Sequence, residues 1–263
     1  LNKKLKADTV FCVMRSTKVS ALSMAKTSPR PLNTMTYMQR MVELMSNSTS
    51  IYLPESDNHF AAAGWDYQKA QREAAIESCL NLKRTRTAID VGAHVGIWTR
   101  RFSEVFDKVV SFEPCPENLA CLYKNTDGLD NVTIHDAAAA ESPDVLMLKR
   151  LRPTNSGMWC LTGPGEEVKS SEGSTYFVRV IRLDDLHIPD VDLIKIDVEG
   201  FEPRVLLGAR ETLQKYHPVL CVEAKEPDSE ERIMMVLDFF ELTYKMNRVG
   251  SEVIYTPSSP SKA

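Results

Sequence analysis

From Thr87 onward, short apolar runs alternate with stretches in which apolar residues recur at helical spacing. The runs at 87–91, 108–113, 131–135, 192–198 and 218–223 read as strands, and the segments 96–106, 116–125, 203–216 and 229–240 as helices. Such alternation predicts an α/β architecture, a mainly parallel sheet with helices on both faces. Two more strand-like runs, at 145–151 and 176–183, flank a Gly/Ser/Pro-rich stretch at 153–174. They read as an inserted hairpin or flap within 144–183. The runs 242–248 and 252–255 around Gly250 read as an antiparallel hairpin that closes the sheet and brings it to seven strands.

Upstream, Asp66 is placed to cap a helix running to Leu82, with Ala70, Ala74, Ile76 and Leu80 as its apolar face. The polar stretch from Tyr52 to Gly64, around Pro54, reads as loop. The segment 35–45 reads as a short amphipathic helix whose methionines fill core. The expected organisation is an N-terminal extension at 1–65, an α/β domain at 66–256 and a tail at 257–263.

Composition changes this picture little. The 263 residues are 43% hydrophobic and 26% charged, ordinary for a globular chain. The net charge of -4 argues against broad nucleic-acid binding. The first 40 residues carry eight Lys/Arg against one acid, Asp8, so the remainder is the acidic part. That opening reads as a basic surface arm, with an organellar targeting segment as the alternative. No apolar run is long enough to span a membrane. Six cysteines without a C-x-x-C pair exclude the usual zinc spacings and do not look like a disulfide scaffold, so reduced thiols and a cytoplasmic location are the expectation.

The chemistry concentrates in Asp90-Val91-Gly92-Ala93-His94-Val95-Gly96. An apolar strand ends in an acid, and a turn with two glycines leads to a helix. In an open parallel sheet this turn is where nucleotide-like ligands sit. Twenty-one residues after Gly92, Glu113 ends the next strand, at the offset that suits ribose hydroxyls. A dinucleotide fingerprint needs a middle glycine so that backbone can approach a pyrophosphate. His94 stands there instead. S-adenosylmethionine has no phosphate and makes no such demand, so it is the expected cofactor and NAD is disfavoured.

Four blocks then carry a resemblance: Asp90 to Gly96; Phe112-Glu113-Pro114 with Pro116-Glu117-Asn118; Ile194-Lys195-Ile196-Asp197-Val198-Glu199-Gly200-Phe201-Glu202 with Gly208-Ala209; and Pro218-Val219-Leu220 with Val222-Glu223. In this order, over about residues 85–225, the chain resembles the FkbM-type methyltransferases. The resemblance implies a Rossmann-like class I methyltransferase fold, S-adenosylmethionine as donor, and O-methylation of a hydroxyl on a small molecule or glycan. The family usually has Asn where this chain has His94.

On this reading Asp90, Gly92, Ala93, His94, Gly96, Glu113, Pro114, Asp136, Ala137 and Asp197 bind the cofactor. Asp90 would take the methionyl ammonium, or else cap the turn. Glu113 would take the ribose, and Asp136 or the backbone of Ala137 the adenine. Asn118 reads as a helix-surface residue. Lys195, Asp197 and Glu199 alternate at the end of the strand next to the glycine turn. Lys195 should be buried and need a carboxylate partner, with Glu223, Asp197 and Glu199 as candidates. These four are the catalytic candidates. Asp197 is the first choice of base, and a pocket-shaping ion-pair network is the alternative. His94 can titrate near neutrality or simply line the pocket. No metal is expected, although Asp197, Glu199 and Glu223 have the oxygen ligands for a divalent cation. In the flap, Asn155, Ser156 and Trp159 are placed to touch ligand or anchor the segment, and His59, Trp65 and Tyr67 to line the acceptor side. The competing readings are an RNA ribose methyltransferase, with Lys69, Asp197 and Glu223 imitating part of a Lys-Asp-Lys-Glu tetrad, and a non-catalytic cofactor-binding module. The tetrad lacks a second lysine in this reading, since Lys215 stands at the far end of its helix.

Overall fold

A computed structural model describes residues 51–162, 174–225 and 228–258. The helix expected at 35–45 and the end of the tail lie outside the described residues. In chain order the strands are β1 (Thr87–Val91), β2 (Lys108–Phe112), β3 (Val132–His135), β4 (Ala138–Ala139), β5 (Asp144–Arg150), β6 (Trp159–Thr162), β7 (Thr175–Ile181), β8 (Val191–Ile196), β9 (Val219–Glu223), β10 (Tyr244–Val249) and β11 (Glu252–Pro257). The helices are α1 (Lys69–Asn81), α2 (Ile97–Ser103), α3 (Pro116–Asn125), α4 (Glu202–Leu207), α5 (Arg210–Tyr216) and α6 (Ser229–Phe239).

Seven strands form one sheet in the order β10-β11-β9-β8-β1-β2-β3. β3, β2, β1, β8 and β9 run parallel, and β11 lies antiparallel between β9 and β10. The central strands are apolar runs because both of their faces are covered. On one face Ile89, Val110, Ile194, Leu220 and Val253 pack against Val205 and Leu206 of α4, Leu213 of α5 and Leu237 of α6. On the other, Ala88, Val109, Leu193, Val219 and Ile254 pack against Ala75, Ile76 and Cys79 of α1 and Trp98 and Phe102 of α2.

Three local expectations are corrected. The first helix begins at Lys69 rather than at Asp66, which sits in a 3-10 turn and pairs with the Lys69 ammonium at 3.0 Å. Its buried face is Arg72, Ala75, Ile76 and Cys79, while Leu80 is 53% exposed. Arg72 turns inward because its guanidinium donates to the carbonyls of Trp65 and Tyr67, at 3.0 Å each. The helix expected over 203–216 breaks into α4 and α5 at Gly208. A Cβ at Gly208 would lie 2.1 Å from the Ala140 carbonyl oxygen, so that approach requires glycine. Asp184 then accepts from the backbone N–H groups of Glu211 and Thr212, at 2.9 and 3.0 Å, and caps the first turn of α5.

The inserted segment is more than a hairpin. β4, β7, β5 and β6 form a second, four-stranded sheet in that order. Leu146, Leu148, Trp159, Leu161, Val178 and Val180 give it a core of its own, shared with Phe201. Residues 51–65, read as part of an extension, pack onto the α/β body: Phe60 is buried with Val95, Ile97 and Cys121. Among the described residues no helix is long and apolar enough to cross a membrane.

Candidate active site

The pleat and register of the sheet place its polar residues on one face. Asp90 pairs with Lys195 across β1 and β8, and Glu223 pairs with Glu252 across β9 and β11. These positions share the α1/α2 face with Ala88, Leu193, Cys221 and Ile254, two residues from one another along each strand. Four adjacent strands therefore present charged groups near one edge of the sheet. Beside them opens a cavity of about 330 Å³, lined by Lys195, Asp197, Glu199 and Glu223, by Gly92, Ala93 and His94, and by Glu113, Pro114 and Ala137.

The glycine turn is held by close contact. Gly92 has φ +77, and a Cβ on it would lie 1.9 Å from the Asp197 carbonyl oxygen. Both facts demand glycine. The N–H groups of Gly92 and Ala93 donate to the Phe112 carbonyl, each at 3.0 Å. Gly96 does not line the cavity. Its φ of +93 and its contact with Leu122, 2.7 Å from an added Cβ, make it the packing hinge into α2.

Glu113 is buried at the mouth of β2. One of its oxygens accepts from the His94 N–H at 2.8 Å, and the other from the Cys115 N–H at 2.8 Å and from Asn118 Nδ2 at 3.5 Å. Burial pushes its carboxyl up to about 7 against the pull of those donors. Asn118, expected on a helix surface, is buried and lines the cavity, because its amide bridges Glu113 and the Ser156 carbonyl at 2.9 Å.

Asp90 and Asp136 do not line the cavity. Asp90 is fully buried beneath the turn, where one oxygen accepts from Thr99 Oγ1 at 2.6 Å and the other lies 3.3 Å from Lys195 Nζ. Asp90 is thus the nearest partner of Lys195; of the three expected, Asp197 stands at 4.0 Å, while Glu223 and Glu199 pair with Lys225. Lys195 also donates to the Gly92 carbonyl at 2.7 Å and stands 4.0 Å from Asp197. Burial pulls its ammonium down, but the Asp90 and Asp197 carboxylates outweigh this and hold it above its usual value. Asp136 is exposed, leaving Ala137 alone of that pair on the wall.

At the far end Lys225 bridges two acids, 2.6 Å from Glu223 and 3.2 Å from Glu199. Among the described residues one group has metal-ligand spacing, Asp197, Glu223 and Glu252, with carboxylate oxygens within 4.8 Å of one another. Glu252 thus replaces Glu199 in the expected trio, because Glu199 turns toward Lys225 at a positive φ of 52. Burial, and then the Asp197 carboxylate, raises both Glu223 and Glu252 above the usual carboxylate range. Gln68 bridges Trp98 and Glu252, accepting from the indole at 2.8 Å and donating to the carboxylate at 3.1 Å.

His94 lines the cavity half-buried, and burial pushes its ring down to about 4, so it does not titrate near neutrality. Asn155 and Trp159 of the flap and His59 and Tyr67 line the cavity, whereas Trp65 stacks under Arg100 instead. Lys69 pairs with Asp66 outside the cavity, and Lys215 is exposed. Sequence reasoning missed Lys225, Glu252, Gln68, Phe60 and Arg152. Glu252 carried a signal, since it shares the face of Ile254 in the last strand. Lys225 follows the strand end and carried none.

A sheet of this order, with one antiparallel strand inserted near its edge and an acid-lined cavity beside a glycine turn, defines a class I methyltransferase fold. The chain belongs to the FkbM methyltransferase domain family, whose model matches residues 90–252. It is similar to the 2-O-methyltransferase NoeI of Sinorhizobium fredii (strain NBRC 101917 / NGR234), with 28% identity over 145 residues, 48% of this chain and 58% of NoeI. The match therefore spans less than two thirds of that relative. Similar solved structures include the methyltransferase FkbM from Methylobacillus flagellatus KT, 20% identical over 65% of this chain and 43% of that one with a TM-score of 0.46. Another is the precorrin-6y C5,15-methyltransferase from Geobacter metallireducens GS-15, 15% identical over 70% of this chain and 84% of that one with a TM-score of 0.45.

Proposed function

We propose that the protein is an S-adenosylmethionine-dependent O-methyltransferase acting on a hydroxyl of a small molecule or glycan. The observation that carries this reading is the acid-lined end of the cavity, where Asp197, Glu199 and Glu223 face the same space as the glycine turn and Glu113. The name of the 2-O-methyltransferase NoeI supports the choice of a hydroxyl.

The residues fit S-adenosylmethionine. The Glu113 oxygen that receives only the His94 N–H keeps acceptor capacity for a ribose hydroxyl. Phe112, Ala137, Ala138 and Leu161 supply an apolar wall for an adenine, and Gly92 to His94 border the methionyl side. When bound, the cofactor supplies a methyl group on a positively charged sulfur. The carboxylates at the strand mouths favour that charge.

The acceptor hydroxyl must lose its proton as its oxygen gains the methyl group. Asp197 takes this proton. Lys195 Nζ stands 4.0 Å from it, and Glu223 beside it is raised above the usual carboxylate range by burial and by the Asp197 carboxylate. The carboxyl oxygens at this end offer acceptors to a donor-rich polyol. Arg152 and Trp159 on the flap side add a cation and an aromatic face for a sugar ring.

Lys225 favours a second reading. With Lys195, Asp197 and Glu223 it completes a Lys-Asp-Lys-Glu set in one cavity, so an RNA ribose hydroxyl is a chemically equivalent acceptor. Mass spectrometry of methyl transfer to a panel of glycosides and capped RNAs separates the two. Isothermal titration with S-adenosylhomocysteine and with NAD tests the cofactor. Binding of NAD and none of S-adenosylhomocysteine overturns the proposal.

A further inference from the structure

Three separate stretches meet at one buried hydroxyl. Ser156 of the 152–159 strap donates its hydroxyl proton to Asp57 Oδ2 at 2.6 Å, and its N–H donates to the same oxygen at 2.8 Å. The other oxygen of Asp57 accepts from the Phe60 N–H at 2.8 Å. His94 Nε2 of the glycine turn lies 2.6 Å from Ser156 Oγ. A hydroxyl has a single proton, and an ionised carboxylate only accepts. With that proton committed to Asp57, Ser156 Oγ can only accept from the ring, so Nε2 must carry the hydrogen. The ring's other nitrogen, Nδ1, has no hydrogen-bond partner among the described residues.

The strap is tied down around this point. Asn58 N–H donates to the Thr154 carbonyl at 3.1 Å, and Asn118 Nδ2 to the Ser156 carbonyl at 2.9 Å. Gly157 lies so close to Phe60 that an added Cβ would stand 2.9 Å from the ring. Phe60 in turn packs on the His94 ring with centroids 4.4 Å apart. The same two residues that hold the strap, His94 and Asn118, hold Glu113 through the His94 N–H at 2.8 Å and Asn118 Nδ2 at 3.5 Å.

We infer that His94 is a positioning residue. Neutral and fixed in its Nε2–H form by Ser156 and Asp57, it latches the 152–159 strap over the cavity and couples the strap to the Glu113 carboxylate. The open Nδ1 is then a fixed acceptor for a donor group on a bound ligand. Burial and the donors around Asp57 are consistent with this. Burial raises the Asp57 carboxyl, but the bonds from Ser156 and Phe60 outweigh it, so the group stays ionised. In its cofactor half the inference rests on the function proposed above.

The test begins on the free protein, labelled with 15N-histidine. The ring shifts of His94 should show the Nε2–H tautomer with no protonation above about pH 5, since buried imidazoles resist charging. Ser156→Ala should leave both tautomers populated, speed hydrogen exchange of the amides at 155–158, and weaken S-adenosylhomocysteine about tenfold, as loss of a charge-linked hydrogen bond does. Asp57→Ala is the second variant. With that acceptor gone, the Ser156 hydroxyl proton turns to Nε2, and the ring should convert to the Nδ1–H form. A wild-type Nδ1–H tautomer overturns the latch. So do variants that leave tautomer, exchange and affinity unchanged. The expected tautomer shifts in a protein that binds no S-adenosylhomocysteine would support the latch and count against the proposed activity.

Discussion

Glu223 and Glu252 stand directly opposite each other across the β9–β11 ladder, both buried. Two like charges in that position repel, and burial penalises each of them. The pair therefore binds protons more tightly in the folded chain than in the unfolded one. Stability from these groups is present below the ordinary carboxylate value near 4.5 and is lost as pH rises through their raised folded values. Glu113 adds the same sign between 4.5 and about 7. Thermal melts from pH 5 to 9 should fall with pH, and Glu252→Gln should flatten the fall. A melt that climbs over this range contradicts the pairing.

Asp197→Asn should lower kcat by about 100-fold or more, the usual scale for a proton-accepting group. Binding of S-adenosylhomocysteine should weaken far less than kcat falls, since a proton acceptor is needed only in turnover. Steady-state kinetics and calorimetry on the same preparation check both halves.

Glu113→Ala should act the other way. Loss of a buried carboxylate that accepts ribose hydroxyls weakens the cofactor by roughly 10- to 100-fold, the range for hydrogen bonds to charged groups. At saturating donor, kcat should recover most of its value. Equal loss in kcat and affinity would place Glu113 in the chemistry itself.

Lys195→Met should destabilise the fold by about 3–5 kcal/mol, because Asp90 is then left buried and uncompensated. The double variant Asp90→Asn, Lys195→Met should regain part of that loss. Urea denaturation of the two singles and the double measures the coupling. Additive losses would show that the contact at 3.3 Å carries no interaction.

Lys225 and Lys195 supply the positive charge beside the carboxylate trio, Lys225 at 2.6 Å from Glu223 and Lys195 at 4.0 Å from Asp197. Dialysis against EDTA should therefore leave methyl transfer unchanged. A loss of activity restored by Mg²⁺ would show that Asp197, Glu223 and Glu252 hold a cation in the working enzyme.

The residue pattern by itself determined the parallel core, the glycine turn and the acids at the strand mouths. Strands covered on both faces must be apolar runs, and a turn at positive φ pressed against the Asp197 carbonyl must have glycine at position 92. Glu113 was placed by its offset from that turn. Only the tertiary structure decided which charge answers which. Partner choice depends on pleat phase and strand order, and neither is local. Asp90 meets Lys195 because β1 and β8 are neighbours in register, and so it points into the sheet rather than toward the cavity. Glu252 joins the trio because β11 inserts beside β9 instead of closing the edge beyond it. From the sequence His94 could titrate or simply line the pocket. Burial makes its ring neutral against the pull of the Asp57 carboxylate, and Ser156 and Asp57, distant in the chain, decide which nitrogen keeps the hydrogen.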